Sequence, residues 1–349
     1  MSVTGRGLAM TIEKMQTYLY DLPEQFSQML GLKIELPGRY QKDYRQIVVS
    51  GLGGSAIGGD ILRSYALNRS RIPVIVNRDY VLPAFVNEHT LVMAVSYSGN
   101  TEETLSAYRQ AKQNGADIIA VSSGGRLSEL AREDGNMVIA VPGGMSPRAA
   151  SGYLFCPLAL TLEKMGLLPD ARRDLQETGQ ILRELREELN PNVPADNNPA
   201  RRLAKQMKDR IPVIWGSAGH SEIAALRWKA QINENAKAPA YCNAFPELNH
   251  NELVGFEAPA ELLGRLVVII LCDPDDHVQV KKRIHITSNI IKAKVADTIE
   301  IKTRGGDWLA KLYSLIYVGD YASFYLALEY GINPTPVKVI DYLKAQLAQ

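Results

Sequence analysis

The chain has 349 residues, of which 46% are hydrophobic and 22% are charged, a composition typical of a globular protein with two domains. The formal net charge is +1 and no long basic run is present, so nucleic-acid binding has no electrostatic support. The most apolar stretch, residues 266–272, is too short to span a bilayer and predicts a buried strand.

The cysteines indicate the cellular compartment in which the protein is expected. There are 3 of them, Cys156, Cys242 and Cys272, and they show no paired spacing. Such a set favours a reducing environment. The N-terminal stretch also lacks the apolar run of a signal peptide. We therefore expect a cytoplasmic protein with no membrane partner.

Strands and helices alternate along the first half. An amphipathic helix is predicted over residues 10–30. Short apolar runs then predict strands at 47–49, 73–76, 91–95, 117–122 and 137–141. Helices ending near residues 67, 114, 133 and 165 are predicted after the first, third, fourth and fifth of these strands. This alternation indicates parallel sheets with right-handed crossovers.

The second half repeats the pattern, with predicted strands at 212–215, 266–271 and 298–302. The chain therefore reads as two copies of one α/β unit. The predicted fold class is α/β, with two tandem domains that are each a parallel sheet flanked by helices in three layers (αβα). The predicted segments are an N-terminal helical extension (1–40), a first domain (41–170), a helix and linker (171–198), a second domain (199–330) and a C-terminal tail and helix (331–349).

Two loops of the first half are candidates for anion binding. Ligands of parallel sheets bind beyond the carboxyl ends of the strands, where helix N-termini offer free N–H groups. Glycines at 51–54 allow close backbone approach, and Ser55 adds a hydroxyl. The next such loop has hydroxyls at Ser96, Ser98 and Thr101. Neutral donors of this kind suit one terminal phosphate.

The alternative for the second loop is helix capping, with Asn100 as N-cap and Glu103 three residues later. The equivalent loop of the second half, residues 273–277, carries carboxylates that would repel a phosphate. Only the first half thus has the anion loop. A relaxed dinucleotide fingerprint, Gly51-x-Gly53-x-x-Ala56, is weak because no acidic residue directly follows the second strand.

Several segments together resemble the bifunctional phosphoglucose/phosphomannose isomerases of the sugar isomerase (SIS) domain superfamily. The resemblance runs from about residue 45 to the C-terminus. Its motifs are Gly53-Gly54-Ser55, Ser96-Tyr97-Ser98-Gly99-Asn100-Thr101-Glu102-Glu103-Thr104, Ser146-Pro147-Arg148-Ala149-Ala150, Asn233-Glu234-Asn235-Ala236-Lys237 and Pro246-Glu247-Leu248-Asn249-His250-Asn251.

The resemblance implies a homodimer that isomerises sugar phosphates without a cofactor or a metal. Glu234 would move a proton between C1 and C2, and Arg148 would stabilise the enediolate. His250 would open the sugar ring of the neighbouring subunit's substrate, and Lys344 would be a C-terminal active-site lysine. The implied phosphate ligands are Gly54, Ser55, Ser96, Ser98 and Thr101.

The residues themselves leave alternatives open. Helical spacing from Ile223 through Leu226 and Ala230 places Glu234 on an apolar face, although Glu234 could instead follow the helix end as a surface residue. Arg148 could form a surface salt bridge. His250 and Lys344 could be solvated.

Further alternatives concern the metal and the substrate. The 5 histidines form no H-x-H or H-x-x-x-H pair, which disfavours a metal. His220 could also approach the site. In the family that the chain resembles, mannose use is linked to a small side chain, often threonine, near the C-terminal segment. An ungapped reading places Val337 rather than Thr335 at that position. A non-catalytic sugar-phosphate sensor, or an isomerase of another sugar phosphate, also remains possible.

Overall fold

A computed structural model describes residues 5–347, so the first four residues of the predicted N-terminal extension and the last two of the predicted tail lie outside it. The elements of the first half are α1 (Gly5–Tyr20), α2 (Leu22–Leu30), β1 (Gln46–Ser50), α3 (Gly54–Ala66), β2 (Val74–Asn77), β3 (Thr90–Val95), α4 (Glu102–Gln113), β4 (Asp117–Ser122), α5 (Gly125–Glu133), β5 (Met137–Ala140), α6 (Ser151–Lys164) and α7 (Ala171–Leu189).

The second half begins after the linker. Its elements are α8 (Pro199–Met207), β6 (Ile211–Ser217), α9 (Ser221–Gln231), a π-helical turn (Ile232–Ala236), β7 (Tyr241–Phe245), α10 (Ala260–Leu263), β8 (Leu266–Cys272), α11 (Val278–Ile291), β9 (Asp297–Lys302), α12 (Trp308–Glu329) and α13 (Lys338–Leu347). No helix among the described residues is both long and apolar enough to cross a membrane.

The chain divides into two compact units. The first unit comprises residues 21–183 and 305–311, and the described part of the second comprises residues 5–20, 184–304 and 312–347. The single helix predicted over residues 10–30 is wrong, because α1 ends at Tyr20 and a new helix starts after Asp21. Pro23 lies in the first turn of α2, where its missing N–H costs nothing.

The first unit contains a parallel sheet with the strand order β2-β1-β3-β4-β5. Side chains of Val48, Val92 and Ile118 point to one face, where they pack with residues of α4 and α5. On the opposite face Gly59 of α3 lies so close to Val49 that a Cβ would be 2.9 Å from its Cγ1. The sheet is therefore covered by helices on both sides.

The second unit has a parallel sheet in the order β7-β6-β8-β9. Its order matches that of the first four strands of the other sheet, which agrees with the predicted duplication. The pattern did not predict β7, whose residues Asn243 and Ala244 interrupt the β-branched run typical of a strand. Its core includes Trp215, Phe245 and Val268.

Helices α9 and α12 of the second unit pack with almost no space between them. The buried Trp228 indole donates a hydrogen bond from Nε1 to the Leu315 carbonyl oxygen at 2.8 Å. A Cβ at Gly319 would lie 2.0 Å from that Nε1. Only glycine at position 319 permits this approach.

We expect Gly319→Ala to destabilise the protein by about 3 kcal/mol, because the rigid indole cannot move away from the added methyl group. Gly255→Ala is the control, since a Cβ there has no neighbour within 4 Å. Thermal unfolding of both variants measures the effect. Equal melting temperatures would contradict the packing described here.

Candidate active site

The serine-rich loop after β3 does not cap helix α4 through Asn100, as the alternative interpretation supposed. The N-cap of α4 is Thr101 rather than Asn100, and its side chain makes no capping hydrogen bond. The Thr101 hydroxyl instead lies 2.9 Å from the Ser96 hydroxyl. Asn100 accepts a hydrogen bond from the Arg126 N–H at 3.0 Å. The loop hydroxyls therefore do not serve the helix end.

The loop is held tightly against the next one along the sheet. Gly99 has a positive φ of 72°, and a Cβ there would lie 1.8 Å from the carbonyl oxygen of Gly124. Its N–H donates to the Ser96 hydroxyl at 3.1 Å. Ser98 is exposed, whereas Ser96 is fully buried. Of these serines, Ser98 is therefore the more accessible to a ligand.

The glycine-rich loop after β1 joins the same site. Helix α3 begins at Gly54, two residues earlier than the sequence indicated, so that Ser55 lies in its first turn. The buried Ser55 hydroxyl accepts a hydrogen bond from the Tyr97 N–H at 3.1 Å. A Cβ at Gly54 would lie 2.9 Å from the backbone nitrogen of Arg148. The two loops and the Arg148 segment thus meet within the first unit.

Arg148 is not a surface residue. It lies in a short 3-10 turn before α6 and is 5% exposed, so the interpretation as a surface salt bridge is wrong. The Tyr97 hydroxyl donates to the Pro142 carbonyl oxygen at 2.8 Å and accepts from the Met145 N–H at 3.2 Å. Tyr97 therefore fixes the segment that leads to Arg148.

Gln25 of α2 is a supporting residue that the sequence did not reveal. Its amide donates to the Ala149 carbonyl oxygen at 2.8 Å and accepts from the Gly152 N–H at 3.0 Å. It therefore holds both the residue after Arg148 and the start of α6. No local pattern could have shown this, because the partners lie more than 120 positions away in the sequence.

In the second unit, the loop after β8 satisfies its own N–H groups. Asp276 accepts a hydrogen bond from the Asp273 N–H at 3.2 Å, and Asp273 accepts from the Asp275 N–H at 2.9 Å. His277 caps α11 by accepting from the Gln279 N–H at 3.1 Å. Burial raises the pKa of Asp276. The loop after β8 thus carries hydrogen-bond acceptors at the position where the loop after β3 carries hydroxyls.

The His220 side chain lies against this acidic loop. Its Nδ1 lies 3.0 Å from Asp273 Oδ2, and both side chains are buried. It begins helix α9 as the N-cap residue. The pair fixes the imidazole against the carboxylate.

Glu234 lies in the middle of the π-helical turn that follows α9, and it is half-buried. The helix therefore does not end before it in a surface loop. The predicted apolar face was wrong, however, because Leu226 is 37% exposed. The buried face of α9 instead includes Ala224 and Trp228. π turns interrupt regular helices and occur frequently at functional sites.

Two asparagines brace Glu234 on either side. Asn233 donates to the Ala238 carbonyl oxygen at 2.8 Å, and Asn235 donates to the Ser323 hydroxyl at 2.9 Å. Lys237, which has a positive φ of 57°, donates to the backbone oxygen of Glu234. The backbone around the carboxylate is thereby fixed at three points.

His250 is braced in the same manner. It is exposed at the end of a 3-10 helix, Glu247–His250. Asn249 donates to the Thr287 hydroxyl at 2.8 Å, and Asn251 donates to Glu247 Oε1 at 3.0 Å. His250 therefore projects from a fixed backbone.

Lys344 lies on α13, which has no buried residue, and it is exposed. Nothing in its surroundings assigns it a role. Within residues 5–347, no group of three or more His, Cys, Asp or Glu side chains could hold a metal ion.

The fold and the site define a class of protein. Residues 42–154 match the SIS domain, and residues 196–347 match the family described as the bacterial phospho-glucose isomerase C-terminal SIS domain. The C-terminal domain of glucosamine-fructose-6-phosphate aminotransferase from Francisella tularensis has a similar fold, with a TM-score of 0.72 at 14% identity over 93% of this chain and 98% of that one. The protein is a tandem SIS-domain protein.

Curated relatives narrow the class. The chain is 49% identical over 95% of its length to the bifunctional phosphoglucose/phosphomannose isomerase of Caldicellulosiruptor bescii, covering 98% of that protein. It is 36% identical over 87% of its length to the enzyme of the same name from Aquifex aeolicus, covering 91% of it. The chain belongs to the bifunctional phosphoglucose/phosphomannose isomerase family.

The close approach of Gly99 and Gly124 gives a test of the anion loop. We expect Gly99→Ala to weaken the binding of inorganic phosphate by about tenfold or more, because the added methyl group forces the loop away from its neighbour. Gly115→Ala is a matched control, since Gly115 has a φ of 73° but no neighbour closer than 3.9 Å. Calorimetric titration with phosphate measures the difference. Equal affinities in the two variants would show that the loop does not bind the anion.

Proposed function

We propose that the protein interconverts glucose 6-phosphate and mannose 6-phosphate with fructose 6-phosphate through a cis-enediolate intermediate. Membership of the isomerase family supports this reaction. The observation that carries the proposal is Glu234, a half-buried carboxylate on a π turn that two asparagines brace. A general base must be held in one place to abstract a carbon-bound proton.

The phosphate of the substrate binds the hydroxyl loop of the first unit. Ser98 and Thr101 are its accessible hydroxyls, and the uncapped start of α4 adds a favourable dipole. Gly54 and Ser55 belong to the same cradle, whereas the buried Ser96 orients Thr101. These groups hold the end of the sugar that does not react.

The chemical steps follow from the remaining groups. His250 donates a proton to the ring oxygen as the bond between C1 and that oxygen breaks, and the C1 hydroxyl loses its proton to solvent, which gives the open-chain aldehyde. Glu234 removes the C2 proton of the aldose and returns it to C1, while the hydroxyl proton on the C2 oxygen moves to the C1 oxygen, which yields the ketose. The Arg148 guanidinium stabilises the negative charge that develops on the enediolate oxygens. The sugar keeps its overall oxidation level, so no redox cofactor is required, and the charge of Arg148 supplies the stabilisation that a metal ion would otherwise give.

We expect Glu234→Gln to lower kcat by about a thousandfold, because the amide cannot accept the C2 proton. Assays in EDTA, with release of tritium from C2 as a second readout, measure the loss. Glu257→Gln is the control, since Glu257 is an exposed carboxylate of the same unit. A Glu234→Gln variant with normal turnover would show that another group is the base.

We also propose that the protein is a cytoplasmic homodimer in which His250 acts in the neighbouring subunit's site. Exposure of His250 on a fixed backbone supports this role. Helix α13 has no buried residue and exposes the apolar side chains of Leu343 and Leu347, which supports a partner that covers them. Lys344 lies on the same helix.

A mixed dimer tests the shared site. We expect Glu234→Gln and His250→Gln homodimers to be inactive. A dimer with one subunit of each, isolated through two different tags, should recover about half of the wild-type activity, because one of its two sites is intact. If His250 served its own subunit, both sites of the mixed dimer would be damaged and no activity would return.

A second candidate function has specific support. The D-glucosamine-6-phosphate 4-epimerase of Sulfolobus acidocaldarius is 32% identical over 89% of this chain, which covers 91% of that protein. Turnover of glucose, mannose and glucosamine 6-phosphates separates the candidates. Turnover of only the first two supports the isomerase, including its use of mannose despite Val337. Conversion of glucosamine 6-phosphate alone would favour the epimerase.

A further inference from the structure

A line of buried polar side chains connects α9 and the π turn to α12 within the second unit. Asp320 of α12 forms a two-point ion pair with Arg227, at 3.0 and 2.7 Å. The same carboxylate accepts a hydrogen bond from the Gln231 amide at 2.9 Å. These three side chains are between 1% and 3% exposed. Buried polar groups are costly unless they are paired, so these hydrogen bonds favour a single register of the two helices.

The line continues to the π turn. The Ser323 hydroxyl donates to the Asp320 carbonyl oxygen at 2.8 Å and accepts from the Asn235 amide at 2.9 Å. Arg227, Gln231 and Asn235 are spaced by four residues, so all three face α12. A π turn has a wider hydrogen-bond ring than an α-helix and is less stable by itself. The hydrogen bond from Asn235 to Ser323 of α12 therefore supports the π turn.

We propose that Ser323 and Asp320 are positioning residues that hold the Glu234 carboxylate in its reactive place through Asn235. This proposal rests on the function proposed above, in which Glu234 is the base. The Asn235 anchor is adjacent to Glu234 in the chain, so a shift of this anchor moves the carboxylate directly. Ser323 need not contact the substrate.

The test compares two buried serines of α12. Ser323→Ala removes the acceptor of Asn235. Ser314→Ala is the control, because Ser314 is 2% exposed and its hydroxyl likewise accepts a hydrogen bond, from the Arg304 N–H at 2.8 Å. Both substitutions remove one oxygen from the same helix. A purely structural effect would therefore act on both variants alike.

We expect Ser323→Ala to lower kcat by about tenfold with KM within about twofold of the wild type, because a misplaced base slows proton transfer more than binding. The kinetic isotope effect on kcat with glucose 6-phosphate deuterated at C2 should rise, since proton transfer becomes more rate-limiting. Ser314→Ala should change neither quantity. Loss of folded enzyme would lower kcat without changing the isotope effect.

A folded Ser323→Ala variant with the kcat and isotope effect of Ser314→Ala would overturn the proposal. Should Ser323→Ala fail to fold, Asn235→Ala breaks the same hydrogen bond and leaves the Ser323 hydroxyl bonded to Asp320. Wild-type kinetics in that variant would also overturn it. The Glu234→Gln assay separates the claim that Glu234 is the base from the claim that Ser323 positions it. If Glu234→Gln is inactive and Ser323→Ala is unaffected, only the positioning role is refuted.

Discussion

Backbone N–H groups at the start of a helix require acceptors, and the two halves of this protein meet the requirement in different ways. After β8, Asp276 and His277 accept hydrogen bonds from the loop and the first turn of α11. After β3, Thr101 directs its hydroxyl to Ser96 instead and makes no capping bond. At this position of the duplicated scaffold, only the first copy therefore presents hydroxyls that are not used for capping.

Asparagines flank Glu234 and His250 in the same way. Glu234 and His250 each lie between two asparagines whose amides bind neighbouring segments. An amide can brace a backbone without adding a charge that would alter the reactive group beside it. The same side chains that marked these segments as recognisable motifs thus have a physical function. They hold the backbone beside the proposed base Glu234 and the proposed ring-opening residue His250, where the chain is not a regular α-helix.

Much of the fold could be predicted from the sequence. For the site, the sequence indicated which residues take part but not the contacts that hold them. The β-branched runs of β1, β3 and β8 are strong signals, because each strand is buried in a parallel sheet. The break at Asp21 was missed because apolar spacing continues across it. The roles of Gln25 and Ser323 could not be predicted, since their partners are distant in the sequence and are brought close only by packing.

If Glu234 is the base, a carboxylate rather than a hydride shift carries the hydrogen between C1 and C2. Prolonged incubation of the wild-type protein with fructose 6-phosphate in D₂O and EDTA tests it most directly. We expect nuclear magnetic resonance to show deuterium at C2 of the glucose 6-phosphate formed, because the proton on Glu234 exchanges with solvent. Interconversion over many turnovers with no deuterium at C2 would contradict it.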